Sequence, residues 1–121
     1  MKYLVDSNII IYHLNGNQVA TNFIPKNIEV SSISRITFIE VLSFDLSYEE
    51  EKYVRNHLLD YNIIDTSNKI ALQAIENRKD KKIKVPDNII ASTAQVNDLT
   101  LVTRNVSDFN NLDINMLNIM D

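Results

Sequence analysis

The stretch YLVDSNII, residues 3–10, joins a short apolar run to three polar residues and then to a second apolar run. The first run, residues 3–5, is typical of a strand that is buried on both faces of a sheet. A helix is predicted over residues 8–14, because apolar residues continue there and Gly16 supplies a stop signal. The stretch therefore predicts a strand that enters a helix through a polar turn.

Strand and helix patterns continue to alternate along the rest of the chain. The further strands are predicted at residues 29–33, 63–64, 99–102 and 114–119, and the further helices at residues 18–24, 34–44, 47–61, 67–82 and 86–96. Three of these helices have recognisable starts: Ser34 as an N-cap, a capping box at Ser47 and Glu50, and Pro86 in a first turn. This order predicts one α/β domain over residues 1–121, a three-layer sandwich around a mostly parallel sheet of about five strands.

The composition excludes several classes of functional site. The chain has 121 residues, of which 45% are hydrophobic and 23% are charged, as in ordinary globular domains. The absence of cysteine excludes disulfides, thiolate metal sites and cysteine nucleophiles. Because Gly16 is the only glycine, neither the G-x-G-x-x-G dinucleotide motif nor the Walker A loop is present.

Charge and hydropathy bear on partners and location. The net charge of −4 argues against broad electrostatic attraction to nucleic acid or anionic membranes, although a local basic patch can oppose the net sign. The first residues hold no apolar run long enough for a signal peptide. No stretch approaches about 18 consecutive apolar residues, so no membrane-spanning helix is expected. We therefore expect a cytoplasmic protein without a membrane partner.

Polar residues follow two of the predicted strands directly. Asp6 follows the first strand, and the segment TRN, residues 103–105, follows the fourth, with Asp108 shortly after it. In parallel sheets the carboxyl ends of the strands share one edge, and ligands bind there at the point where the strand order reverses. We therefore expect these side chains to meet at one cleft.

Two further acids lie on predicted helices. Asp87 shares a helical face with apolar residues at i+3, i+4 and i+7, and Glu40 shares one with apolar residues four positions to either side. Carboxylates on a buried face are unfavourable unless they are compensated, and several at one cleft repel one another. A divalent cation removes this conflict, and oxygen ligands without sulfur suit Mg²⁺ or Mn²⁺. Carboxylate-bound ions of this kind hydrolyse phosphodiesters in many nucleases.

Each acid also has an ordinary structural interpretation. Asp6 is a candidate N-cap of the following helix, and Asp87 suits the positive end of a helix dipole. Asp108 is a candidate cap of a short turn, and Glu40 is a candidate rim residue. These interpretations stay open at the level of the residues alone.

Four segments resemble the motifs of PIN-domain ribonucleases, in the order in which that family carries them. The segments are YLVDSNII at residues 3–10, SRITFIEVL at 34–42, VPDNIIASTA at 85–94 and LVTRNVSDF at 101–109. The resemblance covers essentially the whole chain, and the compact length is similar to that of VapC-type toxins of toxin–antitoxin pairs.

The resemblance implies a Mg²⁺- or Mn²⁺-dependent endoribonuclease, usually a homodimer, that a cognate antitoxin restrains. It implies that Asp6, Glu40 and Asp87 bind the metal and that water is the nucleophile. A fourth catalytic acid is implied at Asp108, whereas some family members carry an acid where this chain has Asn105. The amide at that position departs from their pattern.

The same motifs imply contacts with the RNA substrate. Asn8 is suited to hold a carboxylate or a phosphate oxygen, and the substrate-binding segment after the fourth strand comprises Thr103, Arg104 and Asn105. Arg104 is the stronger candidate for a phosphate contact, because it lies close to the predicted cleft.

Two other surfaces are open to more than one interpretation. One is a dense basic run, which suits either RNA phosphates or a solvated helix end: Arg78, Lys79, Lys81, Lys82 and Lys84. The other is the helical region over residues 34–61, which carries more apolar bulk than one buried face needs. Its surplus suits an antitoxin helix, a dimer interface or simply the core. His13 and His57 fit no ligand pattern.

Competing functions remain at this stage. A receiver-like phosphoacceptor module would use Asp65, after the third strand, but the chain lacks an acid pair after the first strand and a lysine after the fifth. A haloacid-type phosphatase needs D-x-D, where this chain has DSN at residues 6–8. The remaining alternative is a PIN-fold binding protein that has lost catalysis, as the amide at Asn105 suggests.

Overall fold

The computed structural model describes residues 1–79 and 81–120. Helices and strands follow one another in the predicted order. The strands are β1 (Tyr3–Val5), β2 (Ser31–Ser34), β3 (Asn62–Ile64), β4 (Thr100–Val102) and β5 (Met116–Leu117). The α-helices are α1 (Ser7–Leu14), α2 (Gln18–Asn27), α3 (Arg35–Leu42), α4 (Tyr48–Leu58), α5 (Asn68–Lys79) and α6 (Val85–Asn97). Two short 3₁₀ helices cover Ile28–Val30 and Val106–Phe109.

The strands form one sheet in the order β3-β2-β1-β4-β5, and every strand pairing among the described residues is parallel. The chain moves outward from β1 through β2 to β3, and then returns to add β4 on the other side of β1. The strand order therefore reverses between β1 and β4, which is where an α/β sheet forms its ligand crevice.

Apolar side chains on the two faces of the sheet build two separate cores. Val5 and Val102 point to one face, where they pack with residues of α1, α2, α3 and α4. Leu4 and Leu101 point to the other face, where they pack with α6 and with Phe109. Because side chains alternate along a strand, one apolar run serves both layers of helices. The predicted three-layer α/β sandwich is confirmed.

The boundaries of some elements differ from the prediction. The residues before β2 form a 3₁₀ turn, so the strand begins at Ser31 rather than at residue 29. Helix α3 ends at Leu42, where the Ser43 hydroxyl donates a 2.6 Å hydrogen bond to the Ile39 carbonyl. Strand β5 has two residues instead of six. Helix α5 ends at Lys79; residue 80, within the predicted helix, lies outside the described residues.

Two local predictions are confirmed. The capping box of α4 forms both of its bonds, since Glu50 N donates to Ser47 Oγ at 3.1 Å and Ser47 N donates to Glu50 Oε1 at 2.9 Å. Pro86 lies in the first turn of α6. Across residues 1–79 and 81–120, no helix combines the length and the apolar character needed to cross a membrane.

Candidate active site

Asp6 lies at the centre of the crevice between β1 and β4. It is the N-cap of α1, because its Oδ1 accepts a 2.8 Å hydrogen bond from Ser7 N. The capping interpretation of Asp6 is therefore confirmed. However, the side chain is 5% exposed, and its second oxygen faces the neighbouring strand end rather than the helix. A cap needs only one of these two oxygens.

The second oxygen of Asp6 belongs to a polar cluster that joins β1 to β4. Thr103 Oγ1 donates to Asp6 Oδ2 at 2.8 Å, and Asn8 Nδ2 donates to the same oxygen at 3.3 Å. Asn8 Oδ1 accepts in turn from the backbone N–H of Arg104, at 3.3 Å. Thr103 is fully buried. These bonds bring four of the predicted site residues together at the reversal of the strand order.

Glu40 reaches this site from α3. Ser7 Oγ donates a 2.7 Å hydrogen bond to Glu40 Oε1, and it lies 3.3 Å from Thr37 Oγ1. Thr37 is fully buried and Glu40 is half-buried. Ser7, the first residue of α1, therefore orients the Glu40 carboxylate. A residue that merely lined the rim of the cleft would not need this bond.

Asp87 is half-buried in the first turn of α6. Three apolar residues on its helical face are buried as predicted: Ile90, Ala91 and Ala94. Burial raises the pKa of Asp87, the charges of Asp108 and Glu40 raise it further, and Lys84 lowers it. Acids from α3 and from the loop after β4 therefore act electrostatically on the acid of α6.

The same interactions act on Asp6. Burial raises the pKa of Asp6 to about 6, against the opposing hydrogen bonds from Thr103 and Ser7. The negative charges of Asp87 and Glu40 also raise it. Burial is thus the main reason why the pKa of Asp6 lies above its ordinary value of 3.8, and the two neighbouring acids add to it. Buried carboxylates with a raised pKa and charged neighbours are often found at functional sites.

The acids around the crevice do not form a compact set of metal ligands. Within residues 1–79 and 81–120, no three acidic or histidine side chains lie close enough together to hold a metal ion as they stand. The Glu40 carboxylate turns to Ser7, and both oxygens of Asp6 accept bonds from neutral donors.

The loop after β4 carries the remaining predicted residues. Arg104, Asn105 and Asp108 are exposed there. Asp108 lies inside the 3₁₀ helix Val106–Phe109, whose N-cap residue is Asn105, so the interpretation of Asp108 as the cap of this turn is wrong. Its charge instead acts on Asp87.

A tyrosine that the sequence analysis did not single out completes this side of the site. Arg104 Nη1 donates a hydrogen bond to Tyr12 Oη, and the guanidinium carbon lies 5.4 Å from the centroid of the Tyr12 ring. Tyr12 is four residues after Asn8 and therefore shares its face of α1. That spacing is the signal by which the sequence could have indicated it.

All five cations of the basic run are exposed. Lys79 forms an ion pair of 2.8 Å with Glu76. Lys84 precedes α6 and is the member of the run whose charge acts on Asp87. The end of the run nearest α6 thus lies beside the acidic site.

The comparison with protein families decides the assignment. The model of the PIN domain family matches residues 3–115, nearly the whole chain. This chain belongs to the PIN-domain family. No curated protein matches it by sequence.

Solved structures agree with this assignment. A chain of a toxin–antitoxin complex from Klebsiella pneumoniae is 33% identical to this PIN domain, with a TM-score of 0.84 over 99% of both chains. A chain of VapBC2 from Rickettsia felis, bound to a DNA fragment from its promoter, is 26% identical with a TM-score of 0.82 over 98% of both. A chain of DNA-bound VapBC from Salmonella typhimurium, 21% identical over 97% of both, shares the fold with a TM-score of 0.85.

The receiver-like alternative does not fit this PIN domain. In a receiver-type sheet the third strand is central, whereas β3 lies at the edge here. Asp65, the proposed phosphoacceptor, instead pairs with Arg35, whose Nε donates to Asp65 Oδ1 at 2.5 Å. It therefore lies two strands away from the site around Asp6.

The PIN domain also has an apolar groove beside α1. The groove measures about 510 Å³, and α1, α3, α4 and the loop between α3 and α4 line it. Phe44 and Tyr53, which line it, are 56% and 67% exposed, and the lining also includes Glu49 and Glu50. Part of the predicted apolar surplus of residues 34–61 therefore lies on the surface rather than in the core.

Proposed function

We propose that this PIN domain, over residues 1–121, is a metal-dependent endoribonuclease and the toxin of a toxin–antitoxin pair. The observation that carries the proposal is the buried Asp6 carboxylate, which lies beside Thr103 at the carboxyl end of the sheet and on which the charges of Asp87 and Glu40 both act. Such a site gains stability from a divalent cation and needs no other cofactor for phosphodiester hydrolysis. An RNA substrate also implies the cytoplasm as the place of action.

The donor set favours a hard cation. Carboxylate oxygens without sulfur or imidazole suit Mg²⁺ or Mn²⁺. In the proposal Asp6 and Asp87 hold the principal ion, and Glu40 holds it or positions the attacking water after its side chain turns from Ser7. When bound, the ion activates water and stabilises the negative charge on the phosphate. Asp108 is the proposed fourth acid, at the exposed edge of the site.

The proposed substrate contacts surround these acids. Thr103 and Asn8 fix the orientation of the Asp6 carboxylate, and the exposed Arg104 and Asn105 face incoming RNA. Arg104 brings a guanidinium that suits a phosphate geometrically. If the basic run adds further phosphate contacts, reversing Lys81 and Lys82 to glutamate flattens the salt dependence of RNA binding, whereas Lys26 and Lys52 reversed together leave it unchanged.

Cleavage of single-stranded RNA by the protein freed of any partner tests the enzyme. We expect cleavage with Mg²⁺ or Mn²⁺, none with EDTA, and none by Asp6→Asn in any condition. Asp45→Asn is the matched control, since Asp45 is exposed in the loop between α3 and α4. If the pure wild-type protein binds RNA without cutting it at any metal concentration, the chain is the degenerate binding protein instead.

The antitoxin is the second part of the proposal. The Klebsiella pneumoniae relative occurs in a toxin–antitoxin complex, and the groove beside α1 has a mainly apolar lining that includes two acidic residues, Glu49 and Glu50. We expect an apolar antitoxin segment with basic residues to occupy it, because it matches the groove in both respects. Phe44→Glu should then weaken binding of the protein encoded next to this one, while Val19→Glu, at an exposed position of α2 outside the groove, should not.

A homodimer is proposed from the resemblance. Leu72 and Ile75 of α5 are each 55% exposed, as is Val85 at the start of α6. Sedimentation of the isolated protein decides the matter. A dimer that Leu72→Glu converts to a monomer supports an interface on α5, and a monomer at every concentration excludes the homodimer.

A further inference from the structure

We infer that Tyr12 is a positioning residue for substrate binding: it holds the guanidinium of Arg104 beside the acidic site, ready for a phosphate of RNA. This inference rests on the proposed nuclease function. Tyr12 lies outside the four segments that resemble the PIN motifs, and the resemblance assigns it no contact with a metal or with the substrate.

Two residues of helix α1 accept hydrogen bonds from Arg104. Asn8 Oδ1 accepts from the backbone N–H of Arg104 at 3.3 Å, and Tyr12 Oη accepts from its guanidinium. Asn8 and Tyr12 are four residues apart and lie on one face of the helix. The first contact holds the backbone of the loop after β4, and the second sets the direction of the long side chain.

The ring of Tyr12 contributes as well as its hydroxyl. The Arg104 guanidinium carbon lies 5.4 Å from the ring centroid, a distance at which a cation is attracted to an aromatic face. Tyr12 itself is half-buried and packs against the core that contains Val5 and Val102. A packed aromatic ring is a rigid support, so it restricts the rotamers of Arg104 before any ligand arrives.

The charge of Arg104 stays available for a ligand. Among the described residues Arg104 forms no ion pair, and its side chain is exposed. Tyrosine occupies one of the five N–H donors of a guanidinium, which leaves the others for the oxygens of a phosphate. A neutral partner orients this cation without neutralising it, whereas a carboxylate partner would compete with the substrate.

The test compares Tyr12→Phe, which removes the hydroxyl and keeps the ring, with Tyr12→Leu, which removes both. We expect Tyr12→Phe to raise KM for RNA about tenfold at unchanged kcat, a factor that corresponds to about 1.4 kcal/mol. Tyr12→Leu should raise KM further. Tyr48→Phe, in which the tyrosine is 78% exposed on α4, is the matched control and should leave KM unchanged.

A double-mutant cycle separates positioning from a direct contact. In an Arg104→Ala background, Tyr12→Phe should leave KM unchanged, because the group that it positions is gone. An equal rise of KM in both backgrounds overturns the inference, as does an unchanged KM in the single variant. Thermal unfolding of each variant guards against a general loss of structure, which would lower kcat and the melting temperature together.

The binding arm distinguishes failure of this inference from failure of the proposed function. Affinity for a short single-stranded RNA is measured in Asp6→Asn protein, where no cleavage occurs. If wild type cuts RNA and the Tyr12 variants bind and cut it equally well, only the inference about Tyr12 is wrong. If wild type neither cuts nor binds RNA, the nuclease proposal fails and this inference fails with it.

Discussion

Thr103 Oγ1 donates a 2.8 Å hydrogen bond to Asp6 Oδ2 and so joins the carboxyl ends of β4 and β1 inside the crevice. The two residues are 97 positions apart in the chain, and both are buried. The bond lowers the pKa of Asp6 against the larger effect of burial. It therefore favours the ionised form of the Asp6 carboxylate and fixes its orientation.

Removal of the Thr103 hydroxyl should shift the pH profile of the proposed RNA cleavage. In Thr103→Val the shape of the side chain is kept but Asp6 loses the bond, so its pKa should rise above about 6. We expect the acidic limb of the pH profile of kcat/KM to move to higher pH, and the fold to lose about 1–3 kcal/mol of stability. Thr103→Ser, which restores the hydroxyl, should return the limb towards wild type. A profile that does not move in Thr103→Val would contradict this role.

Asp6 should make the metal-free protein less stable as pH rises. Its pKa is raised in the folded state from about 3.8 to about 6, so its favourable contribution is complete below about pH 4 and is lost as pH rises through about 6. The difference corresponds to roughly 3 kcal/mol at neutral pH. Urea denaturation in EDTA between pH 4 and pH 7 measures it, with Asp6→Asn as the reference that lacks the titration. Curves for the two proteins that stay parallel across this window would contradict the prediction.

His57 should act on stability in the opposite direction. Its pKa is lowered by burial and by the charge of His13, whose ring centroid is 4.9 Å away, with Asp60 opposing. A lowered histidine pKa favours the neutral form in the fold, so its contribution is present above about pH 6.5 and is lost as pH falls through the lowered value. Wild type should therefore lose more stability between pH 7 and pH 5 than His57→Gln. Asn56→Gln, at an exposed neighbouring position, is the control and should follow wild type.

Local patterns account for what the sequence predicted well. The apolar run before Asp6 and the capping box of Ser47 and Glu50 each span only a few consecutive residues. Whether they form therefore hardly depends on the rest of the chain. The stripe behind Asp87 has a helical period that only one buried face satisfies. The meeting of Asp6 with Thr103 followed from a general property of parallel sheets, namely that their strand ends share one edge.

Distant polar contacts account for what the sequence missed. Nothing in the residues around Glu40 indicates that Ser7 donates to it, because the two are 33 positions apart. The partnership of Tyr12 with Arg104 likewise depends on how α1 and the loop after β4 approach each other. Strand β5 was predicted too long for a related reason: apolar residues at its ends satisfy the pattern of a strand, whereas the described pairing with β4 reaches only two of them.

A buried amide network joins α5 to α6, and it yields a further prediction. Asn77 is 7% exposed, and its Nδ2 lies within hydrogen-bond distance of Asn88 Oδ1, Ser92 Oγ and Gln95 Oε1, at 3.1, 3.0 and 2.8 Å. Gln73 Nε2 donates to Asn77 Oδ1 at 3.1 Å. Asn88 directly follows Asp87, so this network also fixes the turn of α6 that carries the acid.

Asn77→Ala should therefore destabilise the protein by about 1–3 kcal/mol, because it leaves buried acceptors on α6 without their donor. Urea denaturation measures the loss, and Asn56→Ala on the exposed face of α4 is the matched control, with a change within about 0.5 kcal/mol. Since α6 also positions Asp87, we expect the affinity for Mn²⁺ to fall in Asn77→Ala under conditions where the protein remains fully folded. A variant as stable as Asn56→Ala would show that water replaces the amide and that the network does not hold the two helices together.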